Sequence, residues 1–241
     1  MKIAYLLSAA AAGAIIMAAC SSEETPAEAQ VTPGEEAVET TAPALDASLA
    51  DAATGAYTLD KNHAFLTFTI GHSTGISEYT VNFTEFDVDL TFDPTDPAQS
   101  ELSVSIDPTG LWTQFPGDYK AGHADSEFDT WTEDLSYSGR FLNANEFPEI
   151  SFTSTEMTVT GSNTGTVTGD LTFLGQTKPV TLDVTYNGLA TPPWAPDSSI
   201  VGFNATTTIT RSEWGMGVAM GWLTDEVTVA FTGEFSPTPA E

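Results

Sequence analysis

Basic residues and cysteine are both scarce in this chain of 241 residues. Six Lys and Arg stand against 34 Asp and Glu, which gives a formal net charge of −28 at pH 7. A surface this acidic repels phosphate backbones and anionic lipid headgroups, so the composition argues against both as partners of the outer surface. The single cysteine, Cys20, excludes an intrachain disulfide.

Histidine is almost as rare, and the three present are His63, His72 and His123. His63 and His72 are nine positions apart, so on one regular strand they point to opposite faces. Since there is also no second cysteine, the pattern favours ordinary turn or rim histidines over a zinc site. We therefore expect no metal and no cofactor.

Two short motifs that would indicate an enzyme do not fit their surroundings. Residues 71–75 match G-x-S-x-G, but a nucleophile elbow needs a helix after the serine, and strand-like sequence follows instead. Residues 215–221 are rich in glycine, yet their spacing misses the dinucleotide-binding fingerprint by one residue. No spacing singles out a pair of carboxylates either. The sequence thus predicts no catalytic residues, and a hydrolase stays an alternative only.

The N-terminus explains the lone cysteine. After Lys2, residues 3–19 are uncharged and mostly apolar, and they end in small residues before Cys20. This pattern is typical of a secretory signal peptide, and the run Met17-Ala-Ala-Cys20 resembles a lipobox. We predict a signal peptide over residues 1–19 and lipidation of Cys20, with an uncleaved membrane anchor as the alternative.

Ser21, rather than Asp, follows the cysteine. By resemblance to other bacterial lipoproteins, this favours the periplasmic face of the outer membrane. Residues 21–54 are then acidic and rich in Ala, Thr and Pro, with no Lys, Arg or aromatic residue. Such a segment cannot bury enough apolar surface to offset its ordering entropy. We predict that residues 20–54 form a lipidated, disordered tether that lifts the folded domain off the membrane.

Alternating apolar residues dominate the rest of the chain, which we assign to one β-domain over residues 55–236 with a tail at 237–241. The step from Phe83 to Phe86 breaks the period of two and indicates a bulge or a barrel corner. About eight half-apolar strands separated by turn residues fit a closed barrel or a sandwich. The strands are expected at 63–72, 78–92, 100–107, 149–158, 166–174, 178–188, 200–211 and 226–235.

One stretch, residues 108–148, interrupts the strand pattern. Within it Phe128, Trp131 and Leu135 have helical spacing, and acidic residues precede them. An excursion of about 40 residues in a compact barrel is usually functional. We therefore predict that residues 108–148 form a lid that contains a short helix.

Three basic residues fall at the same end of the barrel if consecutive strands alternate in direction. His72, Lys178 and Arg211 each extend the apolar face of a strand. The lid and the loop 212–225 belong to the same rim. This predicts a mouth with cationic groups for a ligand headgroup, although pairing of these cations with surface carboxylates stays open.

Large, adaptable apolar side chains near this rim and within the barrel are the expected lining of a cavity or lid. Met and Trp in the loop 212–225 suit contact with a ligand as well as packing on the core, so the residues alone do not decide between the two. The predicted set is Phe68, Phe83, Trp112, Trp131, Phe173, Trp214, Met216, Met220 and Trp222.

Four segments carry a more specific pattern. They are Tyr57-Thr-Leu-Asp60 with His63, Phe68 and His72; Phe147-Pro-Glu-Ile-Ser-Phe-Thr-Ser154; Gly169-Asp-Leu-Thr-Phe-Leu-Gly-Gln-Thr-Lys-Pro-Val-Thr-Leu182; and Ile209-Thr-Arg-Ser-Glu-Trp-Gly-Met216. Together they resemble the YceI family of lipid-binding periplasmic proteins over nearly all of residues 56–235. The resemblance implies an all-β, eight-stranded antiparallel lipocalin-like barrel with a long tunnel for a polyisoprenoid or similar amphiphile. The chain departs from the family where Glu133-Asp-Leu-Ser-Tyr137 replaces a common Arg-Asp-x-His-Leu stretch.

The resemblance and the residues together predict a protein that binds and sequesters or carries a long-chain lipid in the cell envelope, and not an enzyme. The alternative is a structural or adhesive envelope lipoprotein, because an eight-stranded barrel has room for one slim ligand or for its own side chains alone. The expected partners are the lipid and the membrane that holds the lipidated N-terminus.

Overall fold

The computed structural model describes residues 43–196 and 198–239. The predicted signal peptide, Cys20 and the tether up to residue 42 lie outside the described residues. No helix within the described part of the chain is long and apolar enough to cross a membrane.

The strands are β1 (Gly55–Leu59), β2 (Phe65–His72), β3 (Ser77–Phe83), β4 (Phe86–Phe92), β5 (Glu101–Ile106), β6 (Leu111–Trp112), β7 (Ile150–Val159), β8 (Thr164–Phe173), β9 (Gln176–Ala190), β10 (Ile200–Thr210) and β11 (Glu226–Pro237). The α-helices are α1 (Tyr119–Gly122) and α2 (Trp131–Tyr137), with 3₁₀ turns at Ala47–Asp51, Lys61–His63, Pro97–Gln99 and Arg211–Trp214.

Antiparallel pairing closes these strands into a barrel. The ring runs β1, β4, β5, β7, β8, β9, β10 and β11, and β11 pairs back with β1, where Tyr57 lies opposite Pro237. β2, β3 and β6 continue the sheet from the other half of β11. The predicted eight-stranded antiparallel barrel is confirmed.

Two walls of the barrel are each built from two consecutive strands. β1 and β2 follow one another along β11, since Leu59 pairs with Phe235 and Phe65 pairs with Thr232. β3 and β4 are divided in the same way at the predicted corner between Phe83 and Phe86, both of which are buried. The walls therefore succeed one another in chain order, as in a meander.

Alternation along each strand selects its inner face. On β9, Val180 and Leu182 line the interior, whereas Thr181 and Asp183 are exposed. On the outer face, threonines pair across strands, as where the hydroxyl oxygens of Thr168 and Thr181 lie 2.9 Å apart. Such cross-strand pairs stabilise the sheet on the side that faces water.

The lid contains β6 and both α-helices. α2 begins at Trp131 because the hydroxyl of Thr130 accepts a hydrogen bond from the Glu133 backbone N–H at 3.1 Å, while the Glu133 carboxylate accepts one from the Thr130 N–H at 3.0 Å. This reciprocal capping box fixes the first turn. The predicted short helix is present, but Phe128 precedes its cap.

The folded domain begins before the predicted boundary at residue 55. Residues 47–51 form a 3₁₀ turn, and Leu49 within it is only 5% exposed. The structure differs here from the predicted disordered tether: residues 43–54 are ordered, because two leucines, Leu45 and Leu49, give this alanine-rich segment an apolar side that packs on the core. At the other end β11 runs to Pro237, one residue into the predicted tail.

Candidate functional site

A cavity of about 940 Å³ runs along the interior of the barrel. Its lining includes His72 and Trp222 at one end and Leu49 and Ser162 at the other. Sites for small molecules usually have volumes of about 300–1,000 Å³, so this one lies near the upper limit. The barrel is thus not filled by its own side chains.

Aromatic pairs on the strands shape the wall of this cavity. The ring centroids of Phe68 and Phe83 are 5.4 Å apart. Towards the other end, Phe203 lies 5.4 Å from Phe92 and 5.5 Å from Tyr186. Tilted and edge-to-face pairs of this kind hold large rings in fixed positions while they present apolar surface to the interior.

The mouth is the end of the barrel where the β2–β3 turn, the β8–β9 turn, the loop 212–225 and the lid meet. The Thr74 N–H donates to the Trp222 carbonyl at 2.8 Å, and the Thr224 N–H donates to the Gly71 carbonyl at 2.9 Å. These bonds join the β2–β3 turn to the loop 212–225. The predicted common rim is thus present in the structure.

Arg211 is 2% exposed and binds the backbone of its own loop. Its Nε donates to the Thr224 carbonyl at 2.9 Å, and its Nη1 donates to the Val218 carbonyl at 2.7 Å and the Met216 carbonyl at 3.1 Å. Nη2 donates to the Leu223 carbonyl at 3.4 Å. The loop carbonyls accept the hydrogen bonds of the guanidinium, but Arg211 also lines the cavity, so its contact with a ligand headgroup stays a prediction.

The other two predicted rim cations differ from one another. Lys178 donates to the Glu213 carbonyl, and its Nζ lies 4.8 Å from the centroid of the Trp214 ring, outside the cavity lining. This position does not favour a contact with a headgroup, and the predicted role of Lys178 stays a prediction. His72 does line the mouth, where its Nε2 accepts a hydrogen bond from the Trp222 indole N–H at 3.2 Å.

Six of the nine predicted apolar residues lie on the cavity wall, and their contact with a ligand stays a prediction. The other three lie off the cavity wall. Trp112 is 57% exposed, because β6 pairs with the edge of β3 and turns Leu111 rather than Trp112 to the core. Trp214 is buried beneath Lys178, and Met220 is 49% exposed on the loop. The six are Phe68, Phe83, Trp131, Phe173, Met216 and Trp222.

A buried carboxylate in the lid was not predicted from the sequence. The side chain of Asp134 is 0% exposed, and its two oxygens accept hydrogen bonds from Nη2 of Arg140 at 2.8 and 2.9 Å. The Tyr119 and Ser126 hydroxyls donate to the same group. Burial alone would raise the pKa of Asp134, but these hydrogen bonds outweigh it and hold the pKa below its usual range.

Arg140 and His123 bring polar groups from the lid to the cavity. The His123 ring stacks on Tyr119 with a centroid distance of 4.2 Å and an interplanar angle of 13°. The Arg140 side chain is 58% exposed, and its guanidinium carbon lies 5.3 Å from the centroid of the Phe141 ring. Together with His72, these two residues can meet the polar end of an amphiphile whose apolar chain lies inside.

We expect Asp134→Asn to remove the part of the free energy of unfolding that the protein otherwise loses in acid. Because the folded-state pKa is depressed, the carboxylate stabilises the fold above its unfolded-state pKa, and this contribution is lost as pH falls through the folded-state pKa. At pH 7 the variant should lose about 1.5–3 kcal/mol of the free energy of unfolding. Below about pH 4 its stability should therefore fall less steeply than that of the unchanged protein.

Urea denaturation at pH 7 and again in acid measures both effects. Asp183→Asn is the matched control, since Asp183 is exposed on the outer face of β9. If the Asp134 variant and the unchanged protein lose stability in parallel on acidification, another carboxylate is responsible.

Comparison with known protein families agrees with the barrel. The model of the YceI-like domain matches residues 57–235. A UPF0312 protein of Pseudomonas putida strain GB-1 is 36% identical over 162 residues, which are 66% of this chain and 76% of the relative. A UPF0312 protein of Pseudomonas fluorescens strain SBW25 is 34% identical with the same coverage.

Solved structures share the fold at lower identity. BcnA of Burkholderia cenocepacia has a TM-score of 0.59 at 20% identity, covering 75% of this chain and 99% of its own. A YceI protein of Campylobacter jejuni has a TM-score of 0.55 at 22% identity, covering 68% of this chain and 88% of its own. The matched domain starts at residue 57, so residues 43–54 precede it even though they pack on the barrel.

Proposed function

Because the chain belongs to the YceI family, we propose that its barrel binds one long-chain apolar lipid, a polyisoprenoid or a similar amphiphile, and sequesters or carries it in the cell envelope. The observation that carries this proposal is the cavity of about 940 Å³ with its apolar wall. Each CH₂ group that moves from water onto such a wall contributes about 0.8 kcal/mol before entropy costs. A chain of this kind is the ligand that uses the full length of the cavity.

The mouth sets the direction of the ligand. His72, His123 and Arg140 lie there, whereas the strands below present aliphatic and aromatic side chains. A polar headgroup therefore stays between the lid and the loop 212–225, and the apolar chain points towards Leu49. Among the described residues, the lining at the opposite end includes the polar β7–β8 turn but no basic side chain, so an anionic headgroup in the reverse orientation would lack a cationic partner.

We propose binding rather than catalysis. Ser73 of the G-x-S-x-G motif lies in the turn between β2 and β3, and its hydroxyl oxygen is 2.9 Å from Nδ1 of His72. The strand that follows, β3, occupies the place where a nucleophile elbow has a helix. The alternative of a structural lipoprotein with a filled barrel is disfavoured by the volume of the cavity.

Organic-solvent extraction of the purified full-length protein, followed by mass spectrometry, tests the proposal. We expect one class of long-chain lipid in an amount close to one molecule per chain. A second sample stripped of lipid should take up an added prenyl alcohol. A protein that carries no lipid and takes none up would be the ligand-free envelope lipoprotein instead.

Anchoring in the envelope is a separate proposal that rests on the sequence before the barrel. Removal of residues 1–19 and lipidation of Cys20 would tie the domain to the periplasmic face of the outer membrane. Cys20→Ala should then abolish partition into a detergent phase, whereas Ser21→Ala should not. If the Cys20 variant still fractionates with membranes and keeps its full N-terminal mass, lipidation is excluded and an uncleaved anchor is favoured.

A further inference from the structure

The end of the cavity opposite the mouth is closed by residues 43–54, which we name the plug segment. Leu45 and Leu49 of this segment line the cavity. Leu49 belongs to the main cluster of buried core residues, and Leu45 and Ala52 pack against that cluster. The segment thus places two leucine side chains across the end of an apolar tunnel.

Polar contacts hold the plug segment in one position. The Asp46 N–H donates to the Ser162 carbonyl in the β7–β8 turn at 2.7 Å. The hydroxyl oxygen of Ser48 lies 3.1 Å from that of Tyr186 on β9. The Asp46 carboxylate also accepts from the Ser48 N–H at 2.9 Å, which caps the 3₁₀ turn. Hydrogen bonds therefore join the segment to the β7–β8 turn and to β9.

The plug segment leads directly into the first strand of the barrel. β1 begins at Gly55, directly after the plug segment, and the Tyr57 hydroxyl donates back to the Ala53 carbonyl at 2.7 Å. The matched family domain starts only at residue 57. The two leucines at the end of the tunnel therefore lie outside the matched domain.

We propose that Leu45 and Leu49 form the floor of the tunnel and thereby set the length of lipid chain that the protein accepts. This inference rests on the proposed function. A chain that ends at Leu49 is buried throughout, whereas a longer chain leaves CH₂ groups in water at the mouth. Because packed interiors resist compression, the floor cannot simply yield to a longer ligand.

Substitutions at Leu49 in the full-length protein move the floor in opposite directions. Leu49→Ala should deepen the tunnel and shift the preferred ligand towards longer chains. Leu49→Trp should raise the floor and shift the preference towards shorter chains. Each CH₂ group that becomes buried, or is forced into water, should change affinity by about fourfold.

Titration of stripped protein with prenyl alcohols of increasing length measures these shifts. Two internal deletions of equal length provide the matched comparison: removal of residues 43–54 should favour the longest alcohols, and removal of residues 29–40 should leave the ranking unchanged. Circular dichroism of each variant checks that the barrel is folded. If one deletion fails to fold, opposite shifts in chain-length preference for the two Leu49 variants still support the inference.

The outcomes separate this inference from the proposed function. If the unchanged protein binds no prenyl alcohol of any length, the proposed function fails. If the unchanged protein binds prenyl alcohols, and every folded variant has the same order of affinities for the different lengths, the proposed function is supported and Leu45 and Leu49 do not form the floor. Shifts of the same sign for Leu49→Ala and Leu49→Trp would also overturn the inference.

Discussion

Arg211→Met is expected to lower the free energy of unfolding by about 3–4 kcal/mol, because it leaves backbone carbonyls of the mouth loop without donors. The guanidinium donates to four carbonyls between residues 216 and 224. Methionine keeps the packing of the aliphatic stem, so the loss reports the hydrogen bonds rather than a void.

Burial lowers the pKa of Arg211, with a smaller opposing effect of Asp225. The Asp225 carboxylate itself binds Ser212, so the substitution does not strand a buried anion. The cost therefore comes from the loop, which should lose its fixed shape at the mouth before the barrel unfolds.

Urea denaturation, with lipid content measured on the same sample, tests this expectation. Lys178→Met is the control, since Lys178 makes one hydrogen bond and one cation–π contact, and its loss should cost no more than about 1 kcal/mol. A variant of Arg211 that keeps its stability and loses its lipid would show that the guanidinium serves the headgroup after all.

Ala205→Trp is expected to reduce bound lipid at least about tenfold, a change of about 1.4 kcal/mol or more, while the barrel stays folded. Ala205 lies in the middle of β10, opposite Val184 and Phe231, and its side chain lines the cavity. An indole ring there crosses the tunnel at half its height. The cavity has room for the ring, so the thermal midpoint should change by only a few degrees.

Thr208→Trp is the matched control, because Thr208 lies on the same strand and is exposed on the outer face. Extraction and mass spectrometry of both variants measure the effect. If the Ala205 variant is folded and retains its full complement of lipid, the ligand does not occupy the middle of the barrel.

The walls of the barrel could be predicted from the sequence because alternation is a local signal. Val180 and Leu182 reveal their common face by spacing alone, and the step from Phe83 to Phe86 places a corner. The common rim of His72, Lys178 and Arg211 followed from strand direction. What these rim residues bind could not be predicted, since the partners of Arg211 are carbonyls whose positions depend on the fold of a loop.

Two parts of the site could not be predicted, because no periodic pattern in the sequence marks them. Asp134 is one of 34 acidic residues, and only the packing of the lid around Tyr119 and Arg140 distinguishes it from the rest. Disorder was predicted for the plug segment because it ends an acidic stretch, residues 21–54, that has no aromatic residue. Composition does not show that two of its leucines pack on the apolar end of the barrel. Both features depend on contacts between segments distant in the chain.

The seam that closes the barrel joins the two ends of the domain. Tyr57 pairs with Pro237 and Ile70 with Val227, whereas the other strand pairs of the described residues join segments far closer in sequence. Nearby segments pair at lower entropic cost, so we expect the hairpins to form before this seam. Until β11 has paired, the chain exposes an open sheet edge and the apolar inner face of the barrel, a state that is prone to aggregate. Repulsion between chains that each carry a net charge of −28 opposes that association, so we expect the acidity to keep the unclosed barrel soluble until β11 has paired.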